Sequence, residues 1–84
     1  MNTMNRITKG PKERRQELID TAERLFTVKG YEHTAISDIV KELHVAQGTL
    51  YYYFSSKEDI LEAVVEKSIA DLEQSVNRII QDED

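Results

Sequence analysis

Apolar residues recur along this chain at the three- and four-residue spacing of helices. Leu18, Ile19, Ala22, Leu25 and Phe26 make one stripe, and Ile36, Ile39, Val40 and Leu43 make a second, shorter one. Leu50 and Phe54 follow four residues apart. A long third series then runs through Ile60, Leu61, Val64, Val65, Ile69, Leu72, Val76, Ile79 and Ile80.

The residues between these stripes supply starts and stops. Gly10-Pro11 opens the first helix, with Pro11 suited to the first turn, and Gly30 supplies the left-handed residue that ends it. Tyr31-Glu32-His33 connects to Thr34, whose hydroxyl is placed to act as an N-cap for the second helix. His44-Val45 forms a tight turn, and Ser55-x-x-Glu58 and Ser56-x-x-Asp59 both resemble capping boxes before the last helix. The pattern predicts helices at about 12–29, 35–43, 46–53 and 57–80, preceded by a basic arm over about 1–11. The expected fold is all-α: a three-helix bundle over about 12–56 containing a helix-turn-helix, followed by a long fourth helix. At 1.5 Å per residue, positions 57–80 span about 36 Å, longer than the three preceding helices can cover. The far end must meet another partner, fray, or be the cut end of a larger protein. The acidic end, Gln81 to Asp84, faces a helix dipole that prefers cations, which reads as the helix fading out.

Composition narrows the function. The chain has 84 residues, room for one small domain with a modest core. It contains no cysteine, which removes disulfides, thiolate metal sites and cysteine nucleophiles. No apolar run reaches the roughly 20 residues of a membrane span, and Met1 to Lys9 lacks the apolar core of a secretory signal. A cytoplasmic protein without membrane contact is expected. The net charge of −5 argues at first against a polyanionic partner, but it is unevenly spread. Residues 1–57 hold nine Lys/Arg against seven Asp/Glu, while residues 58–84 hold two against nine. Local field matters more than the total for nucleic-acid binding.

Tyr51, Tyr52 and Tyr53 carry the sharpest signal. Successive helical residues point about 100° apart, so three consecutive tyrosines cannot all be buried. On a helical wheel Leu50 lies with Ala46 and Phe54, and Gly48 and Tyr52 lie nearly opposite. Leu50 and Phe54 are then anchors; Gly48, Thr49, Tyr51 and Tyr52 form an outer face, with Tyr53 at the core edge. Small residues, exposed phenols and the nearby Lys57 point to a helix laid against nucleic acid.

The order Leu25-Phe26, Gly30-Tyr31, Thr34, Ile39, Val45, Gly48-Thr49-Leu50-Tyr51, Tyr53-Phe54, Lys57-Glu58 resembles the DNA-binding domain of TetR-family transcriptional regulators. The resemblance covers roughly residues 14–65. It implies that the third helix enters the major groove of double-stranded operator DNA, and that the fourth leads to a larger helical domain, absent from this chain, that forms a homodimer and binds a small-molecule effector. It further implies a repressor. Carried over by position, phosphate contacts fall on Thr34, Tyr51, Tyr53 and Lys57, and base-edge contacts on Gln47, Gly48, Thr49 and Tyr52. The family commonly has glycine at position 44, serine at 46 and lysine at 47, where this chain has His44, Ala46 and Gln47.

No cofactor is expected, and no metal or catalytic site. His33 and His44 lie in loops without metal-ligand pairing, and no nucleophile–base grouping or phosphate-cradling glycine loop appears. The rival reading is a helical interaction module pairing through the seam from Val65 to Ile80. A regulator acting on RNA lacks the single-strand stacking sheet it would need.

Overall fold

The computed structural model describes residues 10–82, which form four α-helices and no strand. They are α1 Pro11–Lys29, α2 Ile36–Leu43, α3 Gln47–Tyr53 and α4 Lys57–Asp82. Every helix begins and ends within two residues of its expected position, the ordinary uncertainty of a helix end. The expected arm falls mostly on residues 1–9, which lie outside the described residues, whereas Gly10 and Pro11 belong to the opening of α1.

Each helix end has a local cause. Gly10 is the N-cap of α1, and its N–H donates to Glu13 at 3.2 Å. Gly30 ends α1 at φ 94°, a conformation in which L side chains are strained. Its N–H closes the helix by donating to the Phe26 carbonyl at 2.9 Å. At the start of α4 the Ser56 hydroxyl accepts the Asp59 N–H, while the Asp59 carboxylate receives the N–H and hydroxyl of Ser55. The Ser56-x-x-Asp59 box therefore forms, with its return bond displaced by one residue.

Thr34 corrects the sequence reading. The N-cap of α2 is Ala35, and Asp38 in the first turn accepts the Ala35 N–H at 2.9 Å. Thr34 is buried, with 1% of its surface exposed. Its hydroxyl points back to α1, 2.8 Å from the Gly30 carbonyl oxygen and 3.3 Å from that of Leu25. A hydroxyl has one proton, so the shorter contact is the principal bond. Thr34 thus caps the end of α1 rather than the start of α2.

The core gathers Leu18, Ile19, Ala22 and Leu25 from α1, Ile39 and Val40 from α2, Leu50 and Phe54 from the α3 segment, and Ile60, Ala63 and Val64 from α4. Burying one such large aliphatic side chain is worth about 1.5–3 kcal/mol. Around the core, Arg24 pairs with Glu42 at 2.8 Å and Lys29 with Asp38 at 2.9 Å, joining α1 to α2. Lys67 joins α4 to α1, 2.6 Å from Glu23 and 3.6 Å from Asp20. Beyond Lys67, the apolar residues Ile69, Leu72, Val76, Ile79 and Ile80 of α4 are all exposed. The expected shortfall of cover over the far end of this helix is what the structure has.

Candidate nucleic-acid interface

The turn before α3 sets its angle. His44 is the C-cap of α2 at φ 58° and ψ 43°, the left-handed conformation that the resemblance assigns to glycine. The N–H of Val45 returns to the Val40 carbonyl at 3.0 Å, and half-buried Val45 packs on the core. Ala46 is the N-cap of α3 and makes no side-chain capping bond. Its backbone is extended and its side chain exposed, so the wheel phase that grouped it with Leu50 does not reach it.

Within α3 the division into anchors and outer face holds. Leu50 is fully buried, and Phe54 is buried just past the helix end. The Arg15 guanidinium lies 5.1 Å from the Phe54 ring centre, within cation–π range. Gln47 and Gly48 are exposed, Thr49 is half-buried, and Tyr51 and Tyr52 are 48% and 79% exposed. Tyr53 is half-buried against the core and meets Tyr52 edge-to-face, ring centres 4.9 Å apart. A Cβ added at Gly48 would meet nothing within 4 Å. The chain's own packing therefore gives no reason for a glycine there.

Lys57 and Thr34 are brought together in an arrangement that the sequence did not reveal. The Lys57 ammonium donates to the backbone carbonyls of Tyr31 at 2.7 Å and Thr34 at 2.9 Å, and sits 4.3 Å from the Tyr31 ring centre. Two of its three N–H donors are engaged within the protein. Tyr31 in turn meets Phe26 edge-to-face at 5.0 Å. Desolvation raises the Tyr31 phenol above its ordinary value, and Glu58 and Glu32 add to the effect. Tyr31 and Arg15 are the supporting residues that sequence reasoning missed. Their partners lie 26 and 39 residues away, and no local pattern marks either pairing.

Helices α2 and α3, held by α1 and joined by a tight turn, are the helix-turn-helix of DNA-binding proteins. The match to known proteins is specific. Residues 18–64 fit the model of the bacterial regulatory proteins of the tetR family. The chain is 38% identical over 69 residues to the HTH-type transcriptional regulator HbdR of Aromatoleum sp. (strain CIB), covering 82% of this chain and 30% of that protein. It is 41% identical over 51 residues to IcaR, the HTH-type negative transcriptional regulator of the biofilm operon icaADBC in Staphylococcus aureus, covering 61% of this chain and 27% of that one. A proposed transcriptional regulator from Saccharomonospora viridis, crystallised in complex with choline, superposes with a TM-score of 0.75 at 32% identity, over 81% of this chain and 36% of that one. This chain belongs to the TetR family of transcriptional regulators, a non-enzymatic family, and its matched residues are the family's amino-terminal DNA-binding region. Its matches span from 17% to 36% of the length of these and other curated relatives. Among the described residues no helix is long and apolar enough to cross a membrane.

Proposed function

We propose that this chain reads double-stranded operator DNA by laying α3 in the major groove, and that the whole regulator acts as a homodimeric repressor released by a small-molecule effector. The observation that carries the DNA reading is the open side of α3. A helical glycine with empty space over it, flanked by exposed Gln47, Tyr51 and Tyr52, leaves room for a groove wall to come close. In this reading Gln47, Gly48, Thr49 and Tyr52 meet base edges, and the hydroxyls of Tyr51 and Tyr53 meet phosphates. Lys57 contributes to the phosphate contacts only through its remaining N–H. Thr34 serves by holding the connector between α1 and α2, because its hydroxyl is turned inward.

Dimerisation and effector binding rest on the family. They are supported by the length of the relatives and by the choline complex of the Saccharomonospora viridis protein. The repressor assignment is supported by the resemblance and by the negative regulator among the relatives. The exposed seam of α4 favours a protein contact as well. That contact is compatible with DNA binding, since its exposed residues lie on α4 beyond the Lys67 tie to α1 and include none of the α3 residues.

The test is binding to a pool of mixed-sequence duplexes across a range of salt, with Gly48→Leu beside the parent. The parent is expected to bind at low salt and to weaken as salt rises. Gly48→Leu should keep or raise thermal stability, since leucine is the better helix former and meets open space. It should lower duplex affinity by on the order of tenfold or more, equivalent to at least about 1.4 kcal/mol. Failure of both the parent and the parent joined as a dimer to bind any duplex at low salt overturns the reading.

A further inference from the structure

The recognition helix carries no charge. From Gln47 to Tyr53 there is no Lys, Arg, Asp, Glu or His. The basic groups on either side of it are His44, before the helix, and Lys57, after it. His44 belongs to the turn that closes α2, and two of the Lys57 donors are held by the carbonyls of Tyr31 and Thr34. On α2, exposed Lys41 belongs to the helix that crosses the DNA backbone in this kind of docking. Lys29 and Arg24 are taken up in ion pairs with Asp38 and Glu42.

The chemistry left on the outer face is therefore neutral: one amide, one hydroxyl with a methyl group, and phenol rings. That set matches one kind of base pair better than the other. Guanine presents two acceptors, N7 and O6, and its strongest reader is a cationic side chain offering two donors. The Gln47 amide offers a donor and an acceptor side by side. Against guanine its carbonyl oxygen would face an acceptor, whereas against adenine it pairs with N6–H while its NH2 donates to N7. The Thr49 methyl suits the C5-methyl of thymine, and so does an edge of the Tyr52 ring, which is 79% exposed.

We infer that the operator half-site places A·T pairs, rather than G·C pairs, under the centre of α3, with Gln47 reading an adenine and Thr49 and Tyr52 resting against thymine methyls. This rests on the reading that α3 enters the major groove. It adds the class of sequence that the groove must hold.

The test is selection from a fully randomised duplex pool by the full chain at low salt, followed by sequencing and by affinity measurement on the enriched duplex. Adenine or thymine is expected at the central contacted positions. Changing the Gln47-contacted A·T pair to G·C should weaken binding by about five- to hundredfold. Placing 7-deazaadenine at that position should weaken binding too, because it removes the N7 acceptor while leaving base pairing intact. Gln47→Arg should move the preference there from adenine to guanine, and a thermal melt unchanged from the parent shows that the fold survives at this exposed site. Enrichment of G·C pairs, binding without sequence preference, or full affinity for the 7-deazaadenine duplex overturns the inference while leaving DNA binding standing. No binding to any duplex removes the underlying reading instead.

Discussion

The Lys57 ammonium donates to the Tyr31 carbonyl at 2.7 Å while lying 4.3 Å from the centre of the same residue's ring. One side chain thus fastens the first turn of α4 to the connector between α1 and α2, with a second bond to the Thr34 carbonyl at 2.9 Å. Lys57→Met keeps most of the side-chain volume and removes the charge and all three donors. It is expected to lower unfolding free energy by about 1–3 kcal/mol in a urea titration, because two partly buried carbonyls lose a charged donor. A lysine serving only as a phosphate contact would leave stability unchanged and flatten the salt dependence of DNA binding alone.

His44 occupies a left-handed position at φ 58°. An L-residue pays about 1–2 kcal/mol for that conformation. Glycine avoids the strain but loses about 0.4–1 kcal/mol through the greater freedom of its unfolded chain. His44→Gly is therefore expected to raise stability by up to about 1.6 kcal/mol, visible as a higher melting temperature. His44→Val should do the reverse, since a β-branched residue is poorly suited to positive φ.

Acid should loosen two helix starts together. The Ala35 N–H, then Lys29, hold the Asp38 carboxyl below the usual carboxylate range, and the N–H and hydroxyl of Ser55 do the same for Asp59. A carboxyl depressed in the folded state contributes stability that is present above its unfolded pKa and lost as pH falls through the folded one. Stability should thus decline below the ordinary carboxylate range, and more gently in Asp38→Asn and Asp59→Asn, measured as urea midpoint against pH. Lys67 has the opposite sign: the hydrogen bond to Glu23, with the charges of Glu23, Asp20 and Asp71, raises it. Its contribution should persist through neutral pH and be lost only as pH rises past the folded lysine value.

What the sequence revealed and what it hid divide along chain distance. The stripes of α1 and α2 and the pair Leu50 and Phe54 were legible because helical spacing is written within a few residues of chain. The Ser56 and Asp59 cap was legible for the same reason. Thr34 misled because a threonine ahead of an apolar run looks the same whether it caps the next helix or turns back. Here the carbonyls at the end of α1 offered its hydroxyl a partly buried partner, and Asp38 capped α2 without it. Lys57 was legible as a cation beside α3, but its bonds to the Tyr31 and Thr34 carbonyls were not, because those partners lie 26 and 23 residues back along the chain.

The exposed seam of α4 separates stability from association. Leu50 is fully buried and Leu72 is 64% exposed, so one residue type samples both ends of the fold. Leu50→Ala is expected to cost about 2–5 kcal/mol, the range for emptying a packed core site. Leu72→Ser should stay within about 0.5 kcal/mol of the parent in this chain, because no surrounding core is disturbed. Backbone amides beyond Ile69 should exchange with solvent faster than those near Leu50, since only the helix's own bonds protect them. Equal protection in both regions at high dilution would mean that the distal helix is packed. Protection that appears only as concentration rises would mean that the seam is covered by a second copy, and Leu72→Ser should then abolish that rise.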